Sequence, residues 1–298
     1  MPLSKQDLVD LLPYAVAAAR RAGAFIRSAK VGDIEVQHKS GGSDLAAQVV
    51  TEVDLRADTL IREALQPTCA RYDLALLTEE GADDRARLDK HAFWSVDPLD
   101  GTLAFIESRP GYAVSIGLVA RDGTPLLGVA YNPVTDILYS AAQGQGAQRQ
   151  AAPWRPATTA REGRPLTLVF DRGFEQRDDY ARLSAALNEL AVKHGFSAVQ
   201  TREGGGAVMN ALQVLENPPG CYCKLPKPQE GGGSLWDFAA TAAIFAECGA
   251  SARDFYGQPL DLNRADSTFM NHRGVLYATD AALAAEIQGL LPIVGKRD

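Results

Sequence analysis

The chain has 298 residues, 46% of them hydrophobic and 22% charged, a balance that supports a large core and excludes a disordered or fibrous polypeptide. Its formal net charge of -7 excludes a broad basic face, and with it nonspecific binding to a nucleic-acid polymer or an anionic membrane. A small anionic ligand stays open, because divalent cations held by acidic residues invert the local field.

Apolar residues at helical spacing (Leu8, Leu11, Leu12, Ala15, Val16 and Ala19) predict a helix over residues 5–30. Arg20, Arg21 and Arg27 interrupt this pattern, so it is not read as a secretory signal, and no later run reaches membrane-span length. A soluble, cytoplasmic protein is expected. Ser40, Gly41, Gly42 and Ser43 read as a loop. The next helix carries Leu55, Leu60, Ile61 and Leu65, is capped by Asp54, and is expected to stop at Pro67.

Short apolar runs then predict strands at 74–77, 93–96, 112–119, 126–131 and 137–141, with Asn132 and Pro133 turning the chain between the last two. Helices followed by consecutive hairpins make an α+β pattern. From about residue 155 the order changes to strand (166–170), helix (179–194), strand (198–201) and helix (207–215), an alternating α/β layer. Residues 144–156, rich in Gly, Gln, Ala and Pro, are taken as the junction between domains 1–150 and 151–298.

Among Cys69, Cys221, Cys223 and Cys248 only the middle two are close, one residue apart, which is not a zinc spacing; they are read as free thiols. His38, His91, His194 and His272 are scattered and form no HExxH pair.

The segment richest in chemistry is 94–102, where a strand ends and Asp97 and Asp100 follow three residues apart. Pro98 restrains the backbone, Gly101 permits a tight turn, and a helix beginning at Thr102 would aim both carboxylates and two amides at one spot. Alone, the pair fits a capped turn equally well. Three other acidic segments add weight: Thr78-Glu79-Glu80 after a strand, Val50-Thr51-Glu52-Val53-Asp54 at a helix start, and Trp236-Asp237-Phe238-Ala239-Ala240 opening another helix.

Residues 94–102 and 236–240 resemble the DPxDGT and WDxAA segments of the inositol monophosphatase superfamily, magnesium-dependent and lithium-sensitive phosphatases that include 3'(2'),5'-bisphosphate nucleotidases and fructose-1,6-bisphosphatases. The likeness runs from Lys39 to about Thr279 and takes in Val114-Ser115-Ile116, Leu127-Gly128-Val129 and Asn132-Pro133. It implies a mixed α/β protein, a five-layer α/β/α/β/α sandwich of the sugar-phosphatase type, with the site between the domains. It also implies a homodimer.

By this resemblance Glu79, Asp97 and the Leu99 carbonyl would hold one magnesium ion, and Asp97, Asp100 and Asp237 a second, with Asp97 bridging. A third, weaker ion would draw on Glu79, so two or three ions are expected. Asp54 and Thr102 would orient the attacking water, and phosphate would lie against the amides of Gly101 and Thr102, beside Asp100 and Asp237. Catalytic roles thus fall to Asp54, Glu79 and Thr102. All-oxygen ligands suit a hard cation, and two ions roughly 3.5–4 Å apart stabilise both attacking and leaving oxygens. With no histidine or cysteine required, direct attack by water is expected rather than a phosphoenzyme.

The chain departs from the family pattern in places. Thr78 stands where many members have glycine, and Leu103-Ala104-Phe105 matches neither the Thr-Asn-Phe of inositol monophosphatases nor the Lys-Glu-Phe of bisphosphate nucleotidases. In residues 204–233, Lys224 and Lys227 are read either as contacts to a second phosphate or as part of a solvated loop. Lys39 is read as a mobile cation near the site or an exposed lysine, Glu80 as a support for Glu79 or an exposed acid, and Trp236 and Phe238 as core. The expected activity is hydrolysis of a small phosphate monoester, with inositol monophosphate ahead of 3'-phosphoadenosine 5'-phosphate. Fructose-1,6-bisphosphate and a non-catalytic ligand-binding homologue follow.

Overall fold

A computed structural model describes residues 2–29, 36–38, 49–156 and 160–290. Two long helices open the chain. Helix α1 (Lys5–Ser28) is capped by Ser4 with Asp7, and α2 (Glu52–Tyr72) by Thr51 with Asp54, each pair satisfying end amides reciprocally. Between them β1 (Val36–His38) and β2 (Val49–Thr51) pair antiparallel. The Gly/Ser loop and Lys39 lie outside the described residues.

Helix α2 does not stop at Pro67. It runs on to Tyr72, because Pro67 and Glu63, whose carbonyl loses its partner, both face solvent while Leu65 and Thr68 remain buried.

A seven-stranded sheet follows: β3 (Ala75–Thr78), β4 (Ala92–Asp100), β5 (Ala113–Ala120), β6 (Pro125–Asn132), β7 (Ile137–Ala142), β8 (Gly146–Arg149) and β9 (Ala152–Pro153), in that spatial order. Short helices α3 (Ala86–Asp89) and α4 (Thr102–Ile106) flank β4. Only the β3–β4 pair is parallel. The stretch 144–156, expected as a junction, carries β8 and β9, the last two strands of this sheet. Glu247 holds the turn between β7 and β8 by accepting from the amides of Gly144 (2.8 Å) and Gly146 (2.7 Å).

The second sheet has the order β11-β10-β12-β14-β13, from β10 (Leu166–Phe170), β11 (Val199–Glu203), β12 (Gly220–Lys224), β13 (Ser251–Arg253) and β14 (Val275–Ala278). Strand β10 is parallel to both β11 and β12. Helices α5 (Tyr180–Lys193), α6 (Ala207–Glu216), α7 (Leu235–Cys248) and α8 (Ala281–Gln288) complete the chain.

Side-chain alternation along the strands divides the interior into three cores. On β6, Leu127, Val129 and Tyr131 pack under α1 and α2, while Ala130 faces the middle layer. On β10, Val169 faces the middle layer, and Leu166, Leu168 and Phe170 pack against α5 and α8. Helices α6 and α7 lie between the sheets, so the order is helices, sheet, helices, sheet, helices, the five layers expected. Among the described residues no helix is long and apolar enough to cross a membrane.

The middle layer depends on close approach. A Cβ built on Gly117 of β5 lies 2.7 Å from the Ala239 Cβ, and one on Gly128 of β6 lies 2.8 Å from the Ala240 carbonyl carbon. Only glycine facing alanine lets α7 sit this low on the sheet. Gly128→Ala is therefore expected to destabilise the protein by about 1–3 kcal/mol through overpacking. A lower urea midpoint at unchanged slope measures it.

Candidate functional site

The site gathers at the carboxyl ends of parallel strands from both sheets, where open α/β sheets leave a crevice. Glu79 follows β3, Asp97 and Asp100 end β4, Asp171 and Arg172 follow β10, Gly204 follows β11, and Lys224 ends β12. All of them line one cavity of about 520 Å³, together with Leu99, Gly101, Thr102 and Asp237.

Strand β4 delivers its two carboxylates through a break in register between Asp97 and Asp100. Pro98 has no amide for the ladder, and Asp97 Oδ1 accepts from the Leu99 amide at 2.9 Å, closing the local turn. Gly101 then turns the chain into α4 at φ 89°, and a Cβ there would lie 2.8 Å from the Gly111 carbonyl oxygen. That same oxygen accepts from the Gly206 amide at 2.7 Å, which clamps the loop before β5 to the start of α6. As a result Asp100 receives the first-turn amides of α6, Ala207 at 3.0 Å and Val208 at 2.8 Å.

Asp237 enters from the first turn of α7, where its carboxylate caps Ser234, accepting from that amide at 3.0 Å. One oxygen from each of Asp97, Asp100 and Asp237 lies within 4.8 Å of the others. Asp97 and Asp100 are buried, at 2% and 6% exposure, and Asp237 is half-buried. Burial, then the charges of Glu79, Asp100 and Asp237, push the Asp97 carboxyl well above its ordinary range. Burial and then Asp237 do the same to Asp100. Asp237 is raised by burial, with the Lys224 ammonium pulling the other way.

Glu79 stands outside the closest set of three, yet it lines the cavity and is the leading charge acting on Asp97. Thr102 Oγ1 lies 3.0 Å from Asp54 Oδ1 and 3.1 Å from the Leu99 carbonyl oxygen, two acceptors for its one proton. Asp54 Oδ2 accepts from the Thr51 amide (2.8 Å) and hydroxyl, so Asp54 is buried with both oxygens committed. Burial raises its pKa. Glu79, Asp97, Leu99, Asp100, Gly101, Thr102 and Asp237 thus share one cavity, and Asp54 reaches it through Thr102.

The donor set fits a hard divalent cation. Buried carboxylates that repel one another without a cation, with only oxygen to offer, suit a hard ion that keeps water in its shell.

Several lining residues escaped the sequence. Asp171 Oδ1 accepts from Tyr222 Oη and Asn210 Nδ2, both at 2.9 Å, and its Oδ2 holds the Lys224 ammonium at 3.2 Å. Arg109 and Arg172 also face the cavity, with Glu107 2.6 Å from Arg172 and 3.3 Å from Arg109. Positions one and two residues past a predicted parallel strand were the available signal for Asp171 and Arg172. Phe238 is buried as expected, but Trp236 is only partly so and lines the cavity.

Comparison with known proteins agrees with this geometry. The profile described as Inositol monophosphatase family matches residues 7–290. The 3'(2'),5'-bisphosphate nucleotidase CysQ of Shigella flexneri is 31% identical over 264 residues, covering 88% of this chain and 97% of that protein. An inositol-1-monophosphatase of Synechocystis sp. is 33% identical over 264 residues, covering 87% and 84%. Among solved structures, an IMPase of Thermotoga maritima superposes with a TM-score of 0.71 at 20% identity, over 96% of this chain and 98% of that one, a likeness of fold.

Proposed function

Because this chain belongs to the inositol monophosphatase family, whose members are metal-dependent phosphatases, we propose that it hydrolyses a small phosphate monoester with magnesium held by Glu79, Asp97, the Leu99 carbonyl, Asp100 and Asp237. The observation that carries this reading is the meeting of Asp97, Asp100 and Asp237 within 4.8 Å. When bound, such ions offset the charge of the phosphate oxygens and make a nearby water more acidic.

The chain's own residues prepare the rest. Asp54, accepting at Oδ1, draws the Thr102 proton toward itself, which leaves a Thr102 lone pair to accept from the attacking water and orient it. Gly101 and Thr102 line the cavity, and their backbone amides would meet the phosphate oxygens. Asp100, held by two amides of α6, keeps a fixed orientation toward Asp237.

Inositol monophosphate is the first substrate proposed. A second reading, a 3'(2'),5'-bisphosphate nucleotide, is favoured by Arg109, Arg172 and Lys224, which place positive charge on the cavity wall beside the acidic cluster. The test is phosphate release from inositol monophosphate, 3'-phosphoadenosine 5'-phosphate and fructose-1,6-bisphosphate, with magnesium and with chelator. Turnover of one of them that chelator abolishes is expected; none with any of them would end the reading. For a bisphosphate substrate, Arg172→Gln should lower kcat/KM about tenfold, the worth of one charge-assisted hydrogen bond, and leave inositol monophosphate hydrolysis unchanged.

A further inference from the structure

Helix α2 reaches beyond Asp54. Asp54, Asp58 and Arg62 follow at intervals of four along one face, a spacing that lets neighbouring side chains meet. Asp58 is 7% exposed; one of its oxygens takes Arg62 Nε at 2.5 Å, and the other is buried without a hydrogen-bond partner among the described residues. The far end of the same guanidinium donates through Nη2 to the hydroxyl of Thr78, the last residue of β3.

Thr78 begins the turn that presents Glu79. Its carbonyl accepts from the Gly81 amide at 3.2 Å, and the Glu79 amide donates to the Val96 carbonyl at 3.0 Å, one residue before Asp97. A side chain at Gly81 would collide with the Arg62 guanidinium, so the glycine leaves room for the arginine to lie across the turn.

We propose that Arg62 is a positioning residue: by bridging Asp58 to Thr78 it sets the Thr78–Gly81 turn, and through it the Glu79 carboxylate relative to Asp97. The proposal rests on the reading of Glu79 as a metal ligand. The Thr78 hydroxyl gives the guanidinium an acceptor on the turn. An ion pair in which Arg62 is 36% exposed adds little to stability, so its value lies in placement. One helix then fixes two parts of the site, Thr102 through Asp54 and Glu79 through Arg62.

Groups that orient metal ligands typically change metal affinity or activity about 10–100-fold when removed. Arg62→Gln and Thr78→Val should each raise the magnesium concentration for half-maximal activity by about tenfold or more. They should weaken Mn²⁺ binding, followed by electron paramagnetic resonance on the chelated and reloaded protein, to the same degree, with kcat recovering at saturating magnesium. Arg62→Lys should restore only part of the loss, because one ammonium cannot span Asp58 and Thr78 as a planar fork does. Thr78→Val leaves the Asp58 pair intact, which separates placement from folding should Arg62→Gln unfold. Wild-type Mn²⁺ affinity and wild-type magnesium dependence in a folded Thr78→Val or Arg62→Gln protein would overturn the proposal. Wild-type protein that binds no Mn²⁺ would instead overturn the metal reading on which it stands.

Discussion

Asp97→Asn is expected to lower kcat/KM by about a thousandfold or more while raising the melting temperature of the chelated protein. The loss follows from the position of Asp97, the carboxylate on which the charges of Glu79, Asp100 and Asp237 all act. Metal ions supply several kcal/mol of charge stabilisation to a phosphoryl transition state, and each 1.36 kcal/mol is a factor of ten. The gain follows from the same geometry. Asparagine keeps an oxygen for the Leu99 amide but removes one of three acidic groups crowded within 4.8 Å. Each kcal/mol relieved is worth about 2–4 °C in a chain of 150–250 residues and slightly less in this one. Thermal unfolding in chelator and steady-state kinetics in magnesium read the two halves separately. A variant that is both inactive and less stable in chelator would mean that the acidic cluster is not strained without its ions.

Thr102→Ala and Asp54→Asn are expected to reduce kcat by about 10²–10⁴-fold each, with little change in KM, as for other groups that orient or deprotonate a reacting water. The two act as one unit, since the Thr102 hydroxyl lies 3.0 Å from Asp54 Oδ1. The double variant should therefore be no slower than the slower single one. Multiplying losses would mean that Asp54 works independently, through its cap on Thr51 at the start of α2.

The sequence made much of the site legible because its ligands sit at chemically marked places. Asp97 and Asp100 flank a proline at the end of a strand, Asp237 opens a helix whose alanines meet the glycines of β5 and β6, and Asp54 closes a capping box. Each mark depends on residues within a few positions of one another, which is the range over which sequence patterns report. What escaped depends on partners far away in the chain. Asp171 has no local signature, and its meaning comes from Asn210, Tyr222 and Lys224. Arg62 reads as an ordinary helix-surface arginine until β3 is laid beside α2.

The fold divides in the same way. Strands buried along their whole length, such as β4 and β10, were visible as apolar runs, whereas β8 (Gly-Ala-Gln-Arg) and β9 (Ala-Pro) are short, partly exposed strands at the end of the sheet. The turn into β8 is held by Glu247 on α7, about a hundred residues later. Pro67 misled for a related reason: whether a proline ends a helix depends on which face it occupies, and here that face is solvent.

Anomalous scattering from crystals soaked in Mn²⁺ tests the central claim most directly. Peaks are expected against Asp97, with Asp237 and Asp100 on one side and Glu79 with the Leu99 carbonyl on the other. A bound ion that leaves Asp237 uninvolved, or a cavity that stays free of manganese while the protein still hydrolyses its substrate, would contradict it.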